Sequence, residues 1–272
     1  MKTISRIYSA VLFLFLYAPI FVLIVFSFNN STTMSRSVWS GFSFKWYAQL
    51  MQDGMLLNAL RNTLVIAVIA AIVSTVLGTA AAIGINGMNK WMKRMVMNVT
   101  NLPMVNPEIV TGVSLMLLFV FFAKGMGNVS LGMFSLILAH ITFCLPYVIL
   151  SVMPKLRQMD SHLYEAAQDL GCSPVLAFFK VVLPEIMPGI VTGMIMAFTL
   201  SIDDFVISYF TSGTTQTLPI FIYSMTRKRI SPEINALSTL LFGTIMALLI
   251  IVNLRQSKDK KAEENLIEEG EI

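Results

Sequence analysis

Three acidic side chains stand inside otherwise apolar stretches of this 272-residue chain, and they are the residues best placed to do chemistry. They are Glu108, Asp203 and Asp204, and the apolar stretches that hold them contain no Lys or Arg. A charge near the centre of a bilayer costs about 2.5 to 3.5 kcal/mol on insertion scales, so such groups usually face a cavity and mark a pathway. Because carboxylates attract protonated amines, the three acids predict a route for a cationic solute.

Two of these acids are adjacent, and neighbouring side chains on a helix point about 100° apart. We therefore expect one of Asp203 and Asp204 to face the pathway while the other caps or braces the helix. Trp46 could add a cation–π contact worth about 0.5 to 2 kcal/mol. Two alternatives stay open. The acids could bond to backbone freed at Pro107 or to a neighbouring subunit, and Trp46 could instead anchor the chain at the membrane surface.

A second pattern lies in the longest loop on the side of the chain termini, residues 154–185. It reads Glu165-Ala166-Ala167, three residues, Gly171, nine residues, then Val181-Val182-Leu183-Pro184. Two alanines let a helix approach a partner closely, and Glu165 can pair with a basic groove. This pattern predicts a surface for docking rather than a catalytic site.

Local capping signals predict how that loop folds. Asp160 and Ser161 can cap a first short helix, which Gly171 ends in a left-handed conformation. The Ser173-Pro174 pair is typical of the start of a second helix, and Pro184 should stop it. We therefore expect two short helices joined by a turn, which form a compact knob beside the membrane.

Apolar runs long enough to cross a membrane must position both groups. Hydrophobic residues make up 56% of the chain and charged residues 12%, about half of the charged share of a soluble protein. About 20 apolar residues cross a hydrocarbon core of about 30 Å. Six runs reach that length: 7–28, 63–85, 95–122, 129–153, 186–210 and 236–254. The predicted fold class is all-α, a polytopic membrane protein with about six transmembrane helices, the third kinked or unwound by Pro103 and Pro107.

The distribution of Lys and Arg predicts the orientation in the membrane. Twelve of these residues fall on the side of the two termini and seven on the other, so the positive-inside rule places both termini in the cytoplasm. The basic cluster at 227–229 runs against this rule. The first run is longer than the apolar part of an ordinary signal peptide and lacks a small-x-small cleavage pattern, which favours a retained first helix.

The loop pattern resembles the EAA loop of ABC importer permeases, with Val181 in place of isoleucine as the one departure. The resemblance implies a MetI-like type I permease core over 59–254, preceded by a first transmembrane helix and external loop at 1–58. Residues 255–272 would be a cytoplasmic tail, and their charge predicts disorder. It also implies that the loop couples to a cytoplasmic ATPase. The coupling residues would be Glu165, Ala166, Ala167, Gly171, Leu183 and Pro184.

No G-x-x-x-x-G-K-[ST] motif stands in the chain, so the phosphate cradle of P-loop ATPases is missing. We therefore expect this subunit not to be an enzyme and to hold no cofactor of its own. ATP and Mg would be bound by partner ATPase subunits. No metal site is predicted either, because the 19 methionines are scattered and His140 and His162 have no second histidine at ligand spacing. For each histidine we expect packing or a solvated face.

Five further segments resemble polyamine permeases, those of spermidine/putrescine ABC importers. They are 26–29, 39–42, 45–47, 198–205 and 231–237. The resemblance implies import of a polyamine through a bacterial inner membrane by alternating access. The implied partners are a second homologous permease, two ATP-binding subunits and an external substrate-binding protein. A polyamine is cationic at intervals along an apolar stem, which suits the unpaired acids.

Two alternatives remain at this stage. The first is an ABC permease for another cargo, such as thiamine, iron or sulfate, although acids without basic partners argue against an anion. The second is an ATPase-independent secondary carrier or channel. The G-x-x-x-G at Gly189 and Gly193 predicts close approach of another helix, either from this chain or from a neighbouring subunit.

Overall fold

The computed structural model describes residues 2–31, 39–125, 130–228, 233–244, 246–247 and 250. The helices are α1 (Lys2–Ser27), α2 (Lys45–Leu50), α3 (Gly54–Asn86), α4 (Lys90–Val105), α5 (Glu108–Gly125), α6 (Met133–Gln158), α7 (Ser161–Asp169), α8 (Pro174–Ala177), α9 (Leu183–Asp203), α10 (Val206–Thr211) and α11 (Leu218–Lys228). A π-helical segment, Phe178–Val182, joins α8 to α9. Extended pairing in these residues is limited to an isolated bridge between Asn29 and Phe42. The predicted all-α fold class is confirmed.

Five helices of the described residues are long and apolar enough to cross a membrane. They are Arg6–Ser27, Gly54–Asn86, Glu108–Gly125, Met133–Gln158 and Pro174–Asp203. Each overlaps one of the predicted runs. The predicted sixth run, 236–254, is helical where it is described, but residues 245, 248–249 and 251–254 lie outside the described residues. The tail at 255–272 lies wholly outside them.

The bounds of the spanning helices differ from the predicted runs. The second helix begins nine residues earlier than the predicted 63–85, at Gly54. The third run, 95–122, is two helices, because Asn106 leaves the helical conformation and Pro107 cannot donate the next backbone hydrogen bond. Pro103 stays inside α4, so the predicted break occurs at the second proline alone.

The chain divides into two compact units, Met1–Gly54 with Ile222–Ile272, and Met55–Phe221. In the first unit, residues 6–19 of α1 are exposed throughout, so lipid or another subunit must cover this apolar helix. The end of α1 leads into an aromatic cluster of Phe28, Phe42, Phe44 and Tyr47, with ring centroids 5.1 to 6.1 Å apart.

The second unit is built around α6. Its main neighbour is α9, and α4, α5 and α10 also pack against it. Val148 and Val152 of α6 are fully buried, as are Ile186 of α9 and Ile207 of α10. These residues belong to one hydrophobic core, which α6, α9 and α10 share.

Glycines bring the neighbouring helices close to α6. A Cβ at Gly78 of α3 would stand 2.7 Å from Val148, and one at Gly193 of α9 would stand 3.2 Å from the Cα of the same valine. A Cβ at Gly189 would stand 2.9 Å from the backbone oxygen of Ser151. The glycine pair of α9 therefore packs against a helix of its own chain, which is the first of the two partners predicted for it.

Candidate functional site

The fifth predicted run is interrupted where its two acids stand. Helix α9 ends at Asp203, Asp204 has an extended backbone with φ −66° and ψ 119°, and α10 begins two residues later. The Asp204 carboxylate accepts hydrogen bonds from the backbone N–H groups of Ile207 at 3.2 Å and Ser208 at 2.7 Å. It thereby caps α10 and satisfies donors that have no partner within that helix. The prediction of one continuous helix over 186–210 was therefore wrong.

A histidine from α6 lies against this break. The His140 Nδ1 is 2.7 Å from the Ser201 hydroxyl, and its Nε2 is 3.0 Å from the Ser208 hydroxyl. The same Nε2 is 3.6 Å from an Asp204 carboxylate oxygen, and the side chains of this pair are only 2% and 3% exposed. We call His140, Ser201, Asp204 and Ser208 the His140 cluster.

From the sequence we predict packing or a solvated face for His140, and the cluster is not predicted. The position of His140 within an apolar span indicates that its side chain has a polar partner, because an ionisable residue there needs one. The sequence does not indicate which residue that partner is. His140 and Asp204 stand in different helices, and only the packing of α6 against α9 and α10 brings them together.

Asp203 differs sharply from its neighbour. It is the last residue of α9 and is exposed, whereas Asp204 is buried. Among the described residues, no hydrogen bond or ion pair is made by the Asp203 side chain. The arrangement leaves one carboxylate enclosed in the chain and one carboxylate open.

Glu108 is the first residue of α5 and is exposed. It follows the break at Pro107, and the positive end of the helix dipole favours its charge there. Four residues further on, Gly112 packs against α10, where its Cβ would stand 3.5 Å from the Cα of Ile207. The packing at Gly112 thus holds the first turns of α5 against α10.

Trp46 belongs to the first unit and is half-buried there. Its indole N–H donates to the backbone oxygen of Asn29 at 2.8 Å, and the side chain of Asn29 accepts a hydrogen bond from the backbone N–H of Ser40. The Lys45 ammonium lies 5.5 Å from the centroid of the Trp46 ring. The indole therefore already holds the connection after α1 together and has a cation of the chain itself beside it.

The predicted knob begins as expected. The Asp160 side chain accepts from the backbone N–H of His162 at 3.0 Å and caps α7, which starts at the next residue. Gly171 adopts the left-handed conformation with φ +88°. The backbone N–H groups of Gly171 and Cys172 donate to the oxygens of Gln168 and Ala167, the pattern that closes a helix C-terminus.

The second helix of the knob starts as predicted but does not end at Pro184. The Ser173 hydroxyl caps it, with Pro174 at the first helical position. The chain then passes through the π-helical segment, in which the Leu183 N–H donates to the oxygen of Phe178, and continues into α9. The predicted stop at Pro184 was wrong. The wider hydrogen-bond spacing of the π turn lets the helix continue, although Pro184 has no N–H to donate.

The first helix of the knob presents its motif to the surroundings. The Glu165 side chain is 69% exposed and lies 3.6 Å from the imidazole of His162, whose side chain is 83% exposed. Ala166 is exposed and Ala167 half-buried, and the apolar side chains of Leu170 and Val175 nearby are 86% and 67% exposed. Leu183 and Pro184, the other predicted coupling residues, are the first two residues of α9. An exposed acid among small and apolar side chains suits contact with another protein.

Comparison with known proteins gives consistent results. Residues 74–256 match the family described as binding-protein-dependent transport system inner membrane component. The chain is 42% identical over 237 residues to the putrescine transport system permease protein PotI of Escherichia coli K12, covering 86% of this chain and 83% of that protein. It is 37% identical over 250 residues to the spermidine/putrescine transport system permease protein PotC of Haemophilus influenzae, covering 92% and 95%.

A similar fold occurs in a crystal structure of a bacterial ABC transporter involved in the import of the acidic polysaccharide alginate. The TM-score is 0.72 at 16% identity, and 92% of each chain is covered. At this identity the likeness concerns the fold alone. The predicted MetI-like architecture and the resemblance to polyamine permeases are both confirmed.

Proposed function

Because this chain belongs to the family of binding-protein-dependent transport system inner membrane components, we propose that it is the permease subunit of an ATP-driven polyamine importer. One observation carries the choice of cargo: the identity of 37 to 42% with permeases named for putrescine and spermidine extends over 83 to 95% of their length.

The proposed cargo pathway runs past the acids of the second unit. Glu108 and Asp203 are exposed carboxylates of the same compact unit, at the start of α5 and at the end of α9, and neither stands beside a Lys or Arg in its helix. A carboxylate about 4 Å from an ammonium contributes about 4 kcal/mol at an effective dielectric constant near 20. Asp204 and Trp46 also stay candidates for this pathway, although the hydrogen bonds of Asp204 and the Lys45 contact of Trp46 favour supporting roles.

The energy is proposed to come from other subunits. In this mechanism two ATP-binding subunits, similar to PotA, hold ATP and Mg and close upon them. The exposed surface of α7 around Glu165, with the Gly171 turn, receives that motion. A second permease similar to PotB completes the pathway, and an external binding protein similar to PotD delivers the cargo. The two permeases alternate between outward and inward access, and hydrolysis resets the inward state.

The proposed site of action is the bacterial inner membrane with both termini in the cytoplasm. Its support is the excess of twelve Lys and Arg over seven on the two sides of the spans. In this orientation the α7 surface faces the cytoplasm, where ATP is available. Trp46 and the loop after α1 face outwards, where the binding protein delivers cargo.

Uptake by the reconstituted complex tests this function. The two permeases and the two ATPase subunits are placed in liposomes with ATP inside, the loaded binding protein is added outside, and accumulation of labelled putrescine and spermidine is measured. We expect accumulation that requires ATP and the binding protein, and that unlabelled polyamine suppresses while thiamine, iron and sulfate do not.

Three controls separate the alternatives. A complex whose ATPase subunits cannot hydrolyse ATP should accumulate nothing. Uptake by this chain alone, without ATPase subunits, would instead show a carrier or a channel. Accumulation of thiamine, iron or sulfate in place of polyamine would keep the importer and reject the cargo.

A further inference from the structure

We propose that His140 is a positioning residue for cargo, which holds the last turn of α9 beside the break at Asp204 and thereby sets the direction of the open Asp203 carboxylate. The inference rests on the proposed function, because it takes a cation as the partner of Asp203. The two adjacent acids then have different roles, Asp203 in contact with the cargo and Asp204 within the fold. His140 has the role of holding them in this arrangement.

Asp204 is bound within the chain through both of its carboxylate oxygens. One carboxylate oxygen accepts from the Ile207 N–H and the other from the Ser208 N–H, and His140 lies 3.6 Å from the second oxygen. With its side chain 3% exposed, Asp204 has no surface to offer to a passing molecule. Losing such a buried acceptor would leave backbone donors without partners.

His140 contacts the helices on both sides of the break at Asp204. Ser201 stands in the last turn of α9 and Ser208 in the first turn of α10, and the imidazole contacts one hydroxyl through each nitrogen. An imidazole that bridges two helix ends holds their relative direction as well as their separation. The bridge connects α9, α10 and α6.

Beyond His140, helix α6 packs closely against α9. Four residues further along α6, Cys144 is fully buried and its thiol lies 3.4 Å from the Ala197 oxygen of α9. A further four residues on, Val148 packs tightly against Gly193 of α9, where a Cβ would stand 3.2 Å from the Cα of the valine. The face of α6 that carries His140 is therefore fixed against α9 for more than two turns.

Asp203 stands two residues after Ser201 in the last turn of α9, so the contact of His140 with Ser201 fixes the rotation of that turn and with it the direction of the Asp203 side chain. If α9 continued through Asp204, Asp203 would keep its place, but the Asp204 side chain would stand about 100° further round the helix. Asp204 would then leave the His140 cluster. By holding the break, the cluster keeps Asp204 enclosed and leaves Asp203 as the carboxylate that meets the cargo.

A double-mutant cycle in the reconstituted complex tests the proposal. The measured quantity is putrescine accumulated per ATP hydrolysed, for His140→Ala, Asp203→Asn and the double variant. We expect each single variant to lower this ratio about three-fold or more, and the double variant to resemble Asp203→Asn alone, because residues of one network are coupled on that scale. His140→Gln, which keeps two polar ends, should recover part of the loss.

Thr142→Ala serves as the matched control on the same helix. Thr142 is exposed, and its hydroxyl only returns to the oxygen of Leu138 in its own helix, so the ratio should not change. Equal proportional losses from His140→Ala in the native and Asp203→Asn backgrounds would overturn the proposal, because they would indicate a loss of folded protein only.

A second measurement does not depend on the cargo. A cysteine introduced as Asp203→Cys is treated with a membrane-impermeant cationic thiol reagent in the assembled complex, and the modified peptide is quantified by mass spectrometry. We expect His140→Ala to change the rate of modification about three-fold or more. An unchanged rate would overturn the positioning role even where polyamine uptake is observed. Absence of uptake by the native complex would instead reject the proposed function, and the modification rate would then decide the role of His140.

Discussion

Asp203 and Asp204 differ by one position along the chain, yet their surroundings give them different physical roles. Asp204 accepts two backbone hydrogen bonds in a buried position, while the Asp203 side chain is exposed. The sequence predicted that one of the pair would face the pathway and the other would cap or brace. It could not say which, because the answer depends on where α9 ends.

Replacing each acid by its amide should separate stability from transport. Asp204→Asn keeps one acceptor oxygen and leaves the other of the two buried N–H groups without an acceptor, so we expect the free energy of unfolding to fall by about 1 to 3 kcal/mol. Asp203→Asn removes an exposed charge and should leave the unfolding temperature unchanged. Polyamine uptake should fall about tenfold, because the variant loses part of the attraction of a close ion pair, which is about 4 kcal/mol. Thermal unfolding of the purified complex and uptake by liposomes measure the two effects. The reverse assignment, with Asp203→Asn alone destabilising, would contradict the proposed division of roles.

At the level of helices, what the sequence predicted well are the features with local causes. The cap at Asp160, the left-handed Gly171 and the Ser173-Pro174 start all follow from the properties of a few neighbouring residues, and the structure has each of them. The break at Pro107 belongs to the same class, because a proline removes a backbone donor wherever it stands.

The features that the sequence could not predict arise from packing between helices. Asp204 breaks a run of apolar residues because His140, brought by a distant helix, encloses it, and no periodicity reveals this. Pro184 passes through a continuous helix because five residues before it take the π conformation. The role of Trp46 depends on Asn29, whose contact forms only when the segment that carries Trp46 returns to the end of α1.

The close packing of α9 on α6 gives a prediction at this level. Gly189→Ala places a methyl group 2.9 Å from the Ser151 oxygen and 3.2 Å from the Cα of Val152, so the helices must separate. We expect the variant to lose about 1 to 3 kcal/mol of stability. Gly84→Ala is the matched control, because no atom lies within 4 Å of its Cβ and a helical alanine should gain about 0.5 to 1 kcal/mol. Equal unfolding temperatures for the two variants would contradict the packing argument.

At the level of the whole molecule, the site has two parts joined by one helix. The exposed α7 surface with Glu165 lies at the start of this helix, and the break at Asp204 lies at its end. The segment Pro174–Asp203 runs between them without a gap in helical structure. Family membership and fold are established by comparison, whereas the work assigned to each part is our proposal.

Removing the charge of Glu165 should uncouple the complex. We expect Glu165→Ala to abolish most of the stimulation of ATP hydrolysis by loaded binding protein, together with polyamine uptake, while the isolated ATPase subunits keep their basal rate. Glu185→Ala, which removes an exposed acid from the first turn of α9, should leave both quantities unchanged. Stimulated hydrolysis and uptake are measured on the same liposomes. Full activity of Glu165→Ala would reject α7 as the receiving surface.

The unbroken course of Pro174–Asp203 has a mechanical consequence. Thirty residues of helix, at 1.5 Å each, make a rod about 45 Å long. The helix is continuous through the π-helical segment, so when the rod turns as one body, tilting its α7 end by about 10° swings the opposite end sideways by about 8 Å, more than the width of an alkyl amine. A modest tilt at one end is thus converted by leverage alone into a displacement at the other end that is large enough to open or shut a passage.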